Sequence, residues 1–180
     1  MASICIIADT HRKHRELTIP PCDILIHCGD LCSFQEEDLQ TLDDIDSWFA
    51  EAPAKHVVCI GGNHDFLIQS KEFHFKHAIC LEDSGIEIEG LSIYGSPWCP
   101  DLSGFAYYAT EEELIEKWRK IPSGIDILIT RNPLSPPSAP AQRRLQGPPA
   151  KSNFLAATPF LPPELRPNSF FTDFPPEANS

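Results

Sequence analysis

Four short, β-branched apolar runs punctuate the first 130 residues, and three of them stop abruptly at polar side chains. Ser3-Ile4-Cys5-Ile6-Ile7-Ala8 ends at Asp9-Thr10-His11, Asp23-Ile24-Leu25-Ile26-His27-Cys28 at Gly29-Asp30, and Val57 to Ile60 at Gly61-Gly62-Asn63-His64-Asp65. Runs this short and this apolar predict interior strands of an α/β sheet, and the glycine pair lets the chain turn sharply after the third. In such sheets the functional crevice lies outside the carboxyl ends of the strands. Asp9, His11, Asp30, Asn63 and His64 are therefore expected on one rim.

Between the second and third runs, Leu39, Leu42, Ile45, Phe49 and Ala52 recur at helical spacing, so an amphipathic helix is predicted over Gln35 to Ala52, its carboxylates forming a wet face and Pro53 closing it. Ile86-Glu-Ile-Glu-Gly-Leu-Ser-Ile-Tyr94 alternates as a hairpin turning near Glu89-Gly90. Thr110-Glu-Glu-Glu113 is a capping box opening a helix that carries Leu114, Ile115 and Trp118. Ile125 to Ile129 is a fourth interior strand, which by the logic of the others should deliver a ligand but is followed by Thr130-Arg131-Asn132-Pro133. Three further features have a functional and a plain reading. The basic turn Arg12-Lys13-His14-Arg15 touches a phosphate or is solvated, His74 and His77 clasp a metal or are structural, and Trp98 walls a base pocket or covers the core. The plain reading is preferred each time.

Composition narrows the classes. A chain of 180 residues, 42% hydrophobic and 22% charged, suits one soluble domain with a real core. Seven cysteines, an odd number without a C-x-x-C pair and partly inside apolar runs, read as reduced thiols. No apolar stretch approaches membrane-spanning length and no secretory signal pattern opens the chain, so the expected location is cytoplasmic, with no membrane partner. The net charge of −12 argues against binding a nucleic acid polymer. It would also repel a small phosphate, a contradiction that bound divalent cations remove. From Arg131 onward, 12 of the 18 prolines fall in fifty residues without His, Cys, Trp or Tyr. That composition predicts a disordered tail over 131–180, and its P-x-x-P segments would suit a protein partner of the SH3 type.

Two carboxylates, one of them shared, with an imidazole and an amide oxygen form a mixed oxygen and nitrogen ligand set for divalent ions such as manganese, iron or zinc. Two such ions roughly 3.5–4 Å apart can clamp a phosphoryl group and hold a bridging hydroxide, while His64 protonates the leaving oxygen or stabilises its charge. The sequence resembles the calcineurin-like metallophosphoesterase superfamily in Asp9-Thr-His11, Gly29-Asp30 and Gly62-Asn-His-Asp65. Pro21 to Asp30, Gly95-Ser-Pro-Trp98 and Ile121 to Thr130 look like its branch of brain-type cyclic-nucleotide phosphodiesterase homologues. The likeness, covering about residues 3 to 130, implies a four-layer α/β/β/α sandwich and a partial domain over 1–130. It implies Asp9 and His11 on a first metal, Asp30 bridging, Asn63 on a second, and His64 as catalytic histidine paired with Asp65. The substrate would be a small phosphoester or nucleotide.

The departure from the family pattern is equally specific. The resemblance calls for a histidine after the fourth strand and two more later, but Arg131 stands at the first position and no histidine follows His77. The second metal then keeps only Asp30 and Asn63, so impaired activity is expected, or an inactive form acting as a metal-, nucleotide- or protein-binding module. Either Arg131 replaces the second cation, attracted by Asp30, or the C-terminal part has been exchanged for unrelated sequence. The second reading, which is preferred, predicts an incomplete second sheet with an exposed edge.

Overall fold

The four apolar runs form strands, each close to where the pattern places it. In this computed structural model, residues 2–33, 38–100 and 102–131 are described, together with the backbone of 154–156. β1 (Ile4–Ile7), β2 (Cys22–His27), β3 (Ala54–Cys59) and the two-residue β4 (Ile79–Cys80) make a parallel sheet in the order β1-β2-β3-β4. β5 (Ser84–Ile88), β6 (Leu91–Ser96), β7 (Ile127–Thr130) and β8 (Phe154–Ala156) make a second, mixed sheet. β8 pairs in parallel with β7, so β7 is not the edge of the second sheet. Of the 131–180 tail, residues 132–153 and 157–180 lie outside the described residues.

Alternation along the strands builds two cores. Ile24, Ile26, Cys28, Val58 and Ile60 face Ile88, Ile93, Ile127 and Ile129 of the second sheet. The intervening residues Leu25, Val57 and Cys59 point the other way, onto Leu42, Ile45, Trp48 and Phe49 of helix α1 (Leu39–Glu51). A parallel sheet covered on both faces needs near-continuous apolar strands, which is why β2 and β3 read as runs rather than as alternating patterns. Removing side chains of this kind from water contributes about 1.5–3 kcal/mol each.

The connections follow local chemistry. Asp38 caps α1 by accepting the Thr41 amide at 2.6 Å. One acid of that helix departs from the expected wet face. Asp46 is 5% exposed and accepts the amides of Lys76 and His77, each at 2.9 Å, and contacts His77 Nδ1 at 2.9 Å. His77 is thereby structural, and the 71–77 segment is no regular helix. The hairpin turns at Glu89 and Gly90, with φ of 53° and 75°, the pair of left-handed residues that a two-residue turn between twisted strands requires. The capping box of α2 (Glu111–Trp118) closes in both directions between Thr110 and Glu113. Trp98 donates to Asp83 at 2.8 Å and lies under Lys117 Nζ, 3.2 Å from the ring centre, so it packs at the surface of this sheet's loops. His14, 2% exposed, packs on Trp48 and contacts Asp44 at 3.0 Å, which removes it from any phosphate-facing position.

Candidate metal centre

The loops leaving β1, β2 and β3 are tied to one another before any site side chain is considered. Asp9 N donates to Gly29 O at 3.0 Å, His11 N to Asp30 O at 3.1 Å and Arg12 N to Leu31 O at 2.9 Å. Three of the rim residues hold left-handed backbone, Asp9 at φ 54°, His11 at 42° and Asp30 at 53°. Such positions cost of order 1–3 kcal/mol each and persist where the surroundings over-determine them. The glycines permit the close approach. A Cβ on Gly62 would stand 2.1 Å from Asp30 N and 2.2 Å from its Oδ1, and one on Gly61 would stand 2.2 Å from the Tyr107 ring.

Two buried groups clamp these loops from beneath. His27, fully buried, takes the Gly29 amide on Nδ1 at 3.2 Å and lies 3.0 Å from Thr10 Oγ1 through Nε2. An amide can only donate, so Nδ1 carries the lone pair and Nε2 the proton. Burial pushes the ring's pKa down to about 3, which agrees with a neutral imidazole. Asp65, also fully buried, accepts the amides of Gly62 at 2.7 Å, Cys32 at 2.9 Å and Leu31 at 3.2 Å. The pairing of Asp65 with His64 implied by the resemblance is thus replaced by a loop-holding role. Its oxygens face backbone amides, and burial raises its pKa to about 7.

Above these clamps three of the predicted residues converge. Single ligand atoms of His11, Asp30 and His64 lie within 4.8 Å of one another. Asp30 Oδ2 is 3.7 Å from His11 Nε2 and 3.7 Å from His64 Nε2. His11 Nδ1 lies 2.9 Å from the Cys32 carbonyl, which can only accept, so in the neutral ring Nε2 presents its lone pair toward Asp30. A metal-binding histidine is oriented in this way. The His64 ring stands edge-on to His11 at 5.2 Å and to Phe105 at 5.5 Å. Burial lowers its pKa, Asp30 acting against that shift. For the 1% exposed Asp30, burial raises the carboxyl's pKa, opposed by Arg131 and His64.

Asp9 and Asn63 are placed differently. The expected set put Asp9 with His11, whereas Asp9 Oδ1 lies 3.0 Å from Arg131 Nη2 and Asp9 does not join the three-residue group. Asn63 Oδ1 accepts from Arg131 Nε at 3.1 Å. Arg131 Nη2 also donates to Asp30 Oδ2. The fourth strand therefore does send a residue to the rim, and that residue is a cation. A cation drawn to Asp30 is what the less-preferred reading of Arg131 expects. Phe105 and Tyr107 carried no sequence signal, because their approach depends on the folded course of residues 102–107.

A family model for calcineurin-like phosphoesterase matches residues 2–156. The chain belongs to that family. Metallophosphoesterase domain-containing protein 1 of Homo sapiens is 31% identical over 159 residues, a match covering 72% of this chain and 48% of the relative. A UPF0046 protein of Caenorhabditis elegans is 29% identical over 152 residues, covering 72% and 53%. The chain spans about half the length of the curated relatives it matches. The mixed α/β architecture agrees with that membership. The family typically binds divalent metals, and His11, Asp30 and His64 offer a donor set of imidazole nitrogen and carboxylate oxygen that fits one such ion. The second position fits poorly, since Arg131 already engages oxygens of Asp30 and Asn63. No helix among the described residues is long and apolar enough to cross a membrane.

Proposed function

We propose that this chain hydrolyses a small phosphoester, a phosphomonoester or a cyclic-nucleotide diester, at a divalent ion held by His11, Asp30 and His64, with turnover impaired by the missing C-terminal histidines. The observation that carries this reading is the convergence of those three side chains at the carboxyl ends of parallel strands, with His11 already turned to offer Nε2. Bound there, a manganese, iron or zinc ion supplies charge to polarise a phosphoryl oxygen and lowers the pKa of a water. The chain's own residues do the rest. Asp30 and His11 orient the site, Arg131 offers a fixed positive charge beside it, and Phe105 packs edge-on against His64, holding that ring toward Asp30. The charge balance agrees. Asp9 and Asp30 against Arg131 leave a net single negative charge, which suits one divalent ion and then an anionic phosphoester.

The test is a manganese titration of the purified chain with p-nitrophenyl phosphate esters and with 2′,3′- and 3′,5′-cyclic nucleotides. Metal-stimulated turnover that is lost in His64→Ala and Asp30→Asn is the expected result. Turnover equal in parent and variants sinks the reading. The Arg131 contacts favour one alternative, a non-hydrolysing form that binds an ion or nucleotide, with the proline-rich 131–180 segment meeting a protein partner in the cytoplasm. Metal binding without turnover on any of these esters would select it.

A further inference from the structure

The resemblance assigned Asp30 and Asn63 to a second metal ion, and the structure places a guanidinium against those same two side chains. Arg131 Nε reaches Asn63 Oδ1 at 3.1 Å, and Nη2 reaches Asp30 Oδ2 as well as Asp9 Oδ1 at 3.0 Å. Nε and Nη2 lie on one edge of the planar group, so the fork spans an oxygen of each of the two side chains that the resemblance gives to a second metal. We infer that Arg131 is a covalently tethered substitute for the second divalent cation, so that this chain works with one ion and one fixed guanidinium.

Three physical arguments support the assignment. Arg131 and Asp30 are 9% and 1% exposed, and charges so far removed from water persist only when paired and hydrogen-bonded. Asp30 therefore has its counter-charge without a second ion. The position is also chosen by the fold rather than by a surface excursion, because Arg131 directly follows β7, whose strand is locked in register against β6 from Ile127 to Thr130. Finally, two divalent ions added to Asp9, Asp30 and Arg131 would leave a net charge of +3, whereas one leaves +1. A second ion would have to displace the guanidinium or sit against it at a few ångströms, where like charges repel strongly in a poorly hydrated site. A guanidinium cannot release a proton from a water as a metal does, so the substitution keeps phosphoryl binding and gives up part of the activation.

The inference rests on the phosphoesterase reading for the identity of the retained ion, and the experiment separates the two. Manganese is added to the parent chain and to Arg131→Met, followed by stoichiometry from equilibrium dialysis and by electron paramagnetic resonance. The parent should bind a single manganese with a mononuclear six-line spectrum. Arg131→Met should gain a second equivalent and an exchange-coupled dinuclear spectrum. A coupled spectrum in the parent overturns the inference while leaving the phosphoesterase reading intact. A folded Arg131→Met, judged by an unchanged circular-dichroism spectrum, that gains no manganese overturns it too. Should the parent bind none and the variant gain one, Arg131 excludes the retained ion instead of replacing a second one, and both the inference and the metal-dependent reading fail for the parent. If Arg131→Met does not fold, the parent spectrum alone decides between mononuclear support and dinuclear refutation.

Discussion

His11 Nδ1 sits 2.9 Å from the backbone carbonyl of Cys32, and that contact turns Nε2 toward Asp30 before any ion arrives. Cys32 in turn has its amide held by Asp65 at 2.9 Å, so a buried carboxylate, a main-chain carbonyl and an imidazole form one chain of orientation. His11→Ala should lower manganese affinity by at least about tenfold, since the ligand and its orienting bond are lost together. Isothermal titration checks this. Because His11 is 38% exposed at its side chain, the melting temperature should move little.

Gly62→Ala tests how tightly the second and third loops interlock. The added Cβ would overlap the Asp30 backbone nitrogen at 2.1 Å and its Oδ1 at 2.2 Å, and backbone cannot swing aside as a flexible side-chain tip can. A loss of roughly 1–3 kcal/mol or more is expected, read as a lowered denaturant midpoint. Manganese binding should fall with it, because Asp30 is the atom group displaced. Gly104→Ala has no neighbour within 4 Å of the added carbon and should spare manganese binding, although its φ of 88° makes it a strained position.

Asp65→Asn distinguishes loop support from a proton-transfer partnership. The carboxylate accepts three amides, and an asparagine at this place offers one oxygen and turns an N–H₂ group toward at least one donor. Stability should fall by about 1–3 kcal/mol. A variant that instead melts like the parent while its pH–rate profile shifts would restore the pairing with His64.

His27 gives the protein an acid limit. Its pKa lies near 3 in the fold against the ordinary 6.5, so below about 6.5 the unfolded chain takes up a proton that the folded chain refuses. Stability is therefore complete above pH 6.5 and drains away as the pH falls toward 3, by on the order of a few kcal/mol for a shift of this size. His27→Gln, which can keep a bond toward Thr10 but does not titrate, should be less stable than the parent at neutral pH. Its melting temperature should nevertheless fall less steeply between neutral pH and the acid side, and an equal slope in both proteins would exclude His27 as the cause.

Much of this protein is written locally. The strands that carry Asp9, Asp30 and Asn63, the left-handed turn at Glu89-Gly90 and the Thr110–Glu113 cap each depend on neighbours a few residues away, so apolar periodicity and turn chemistry reveal them. The convergence of His11, Asp30 and His64 was legible for the same reason, because parallel strands have all their carboxyl ends on one side. The tertiary structure alone decided what each polar group does once there. Asp46 looked like one acid of a wet helix face until residues 76 and 77 arrived to use it. Asp65 became a loop clamp, and Asp9 turned from the metal group to a guanidinium. Arg131 reaches Asp30 across 101 positions of sequence and Asn63 across 68. No local pattern encodes such contacts, since a charge finds its partner only after packing has excluded the water that would otherwise solvate it.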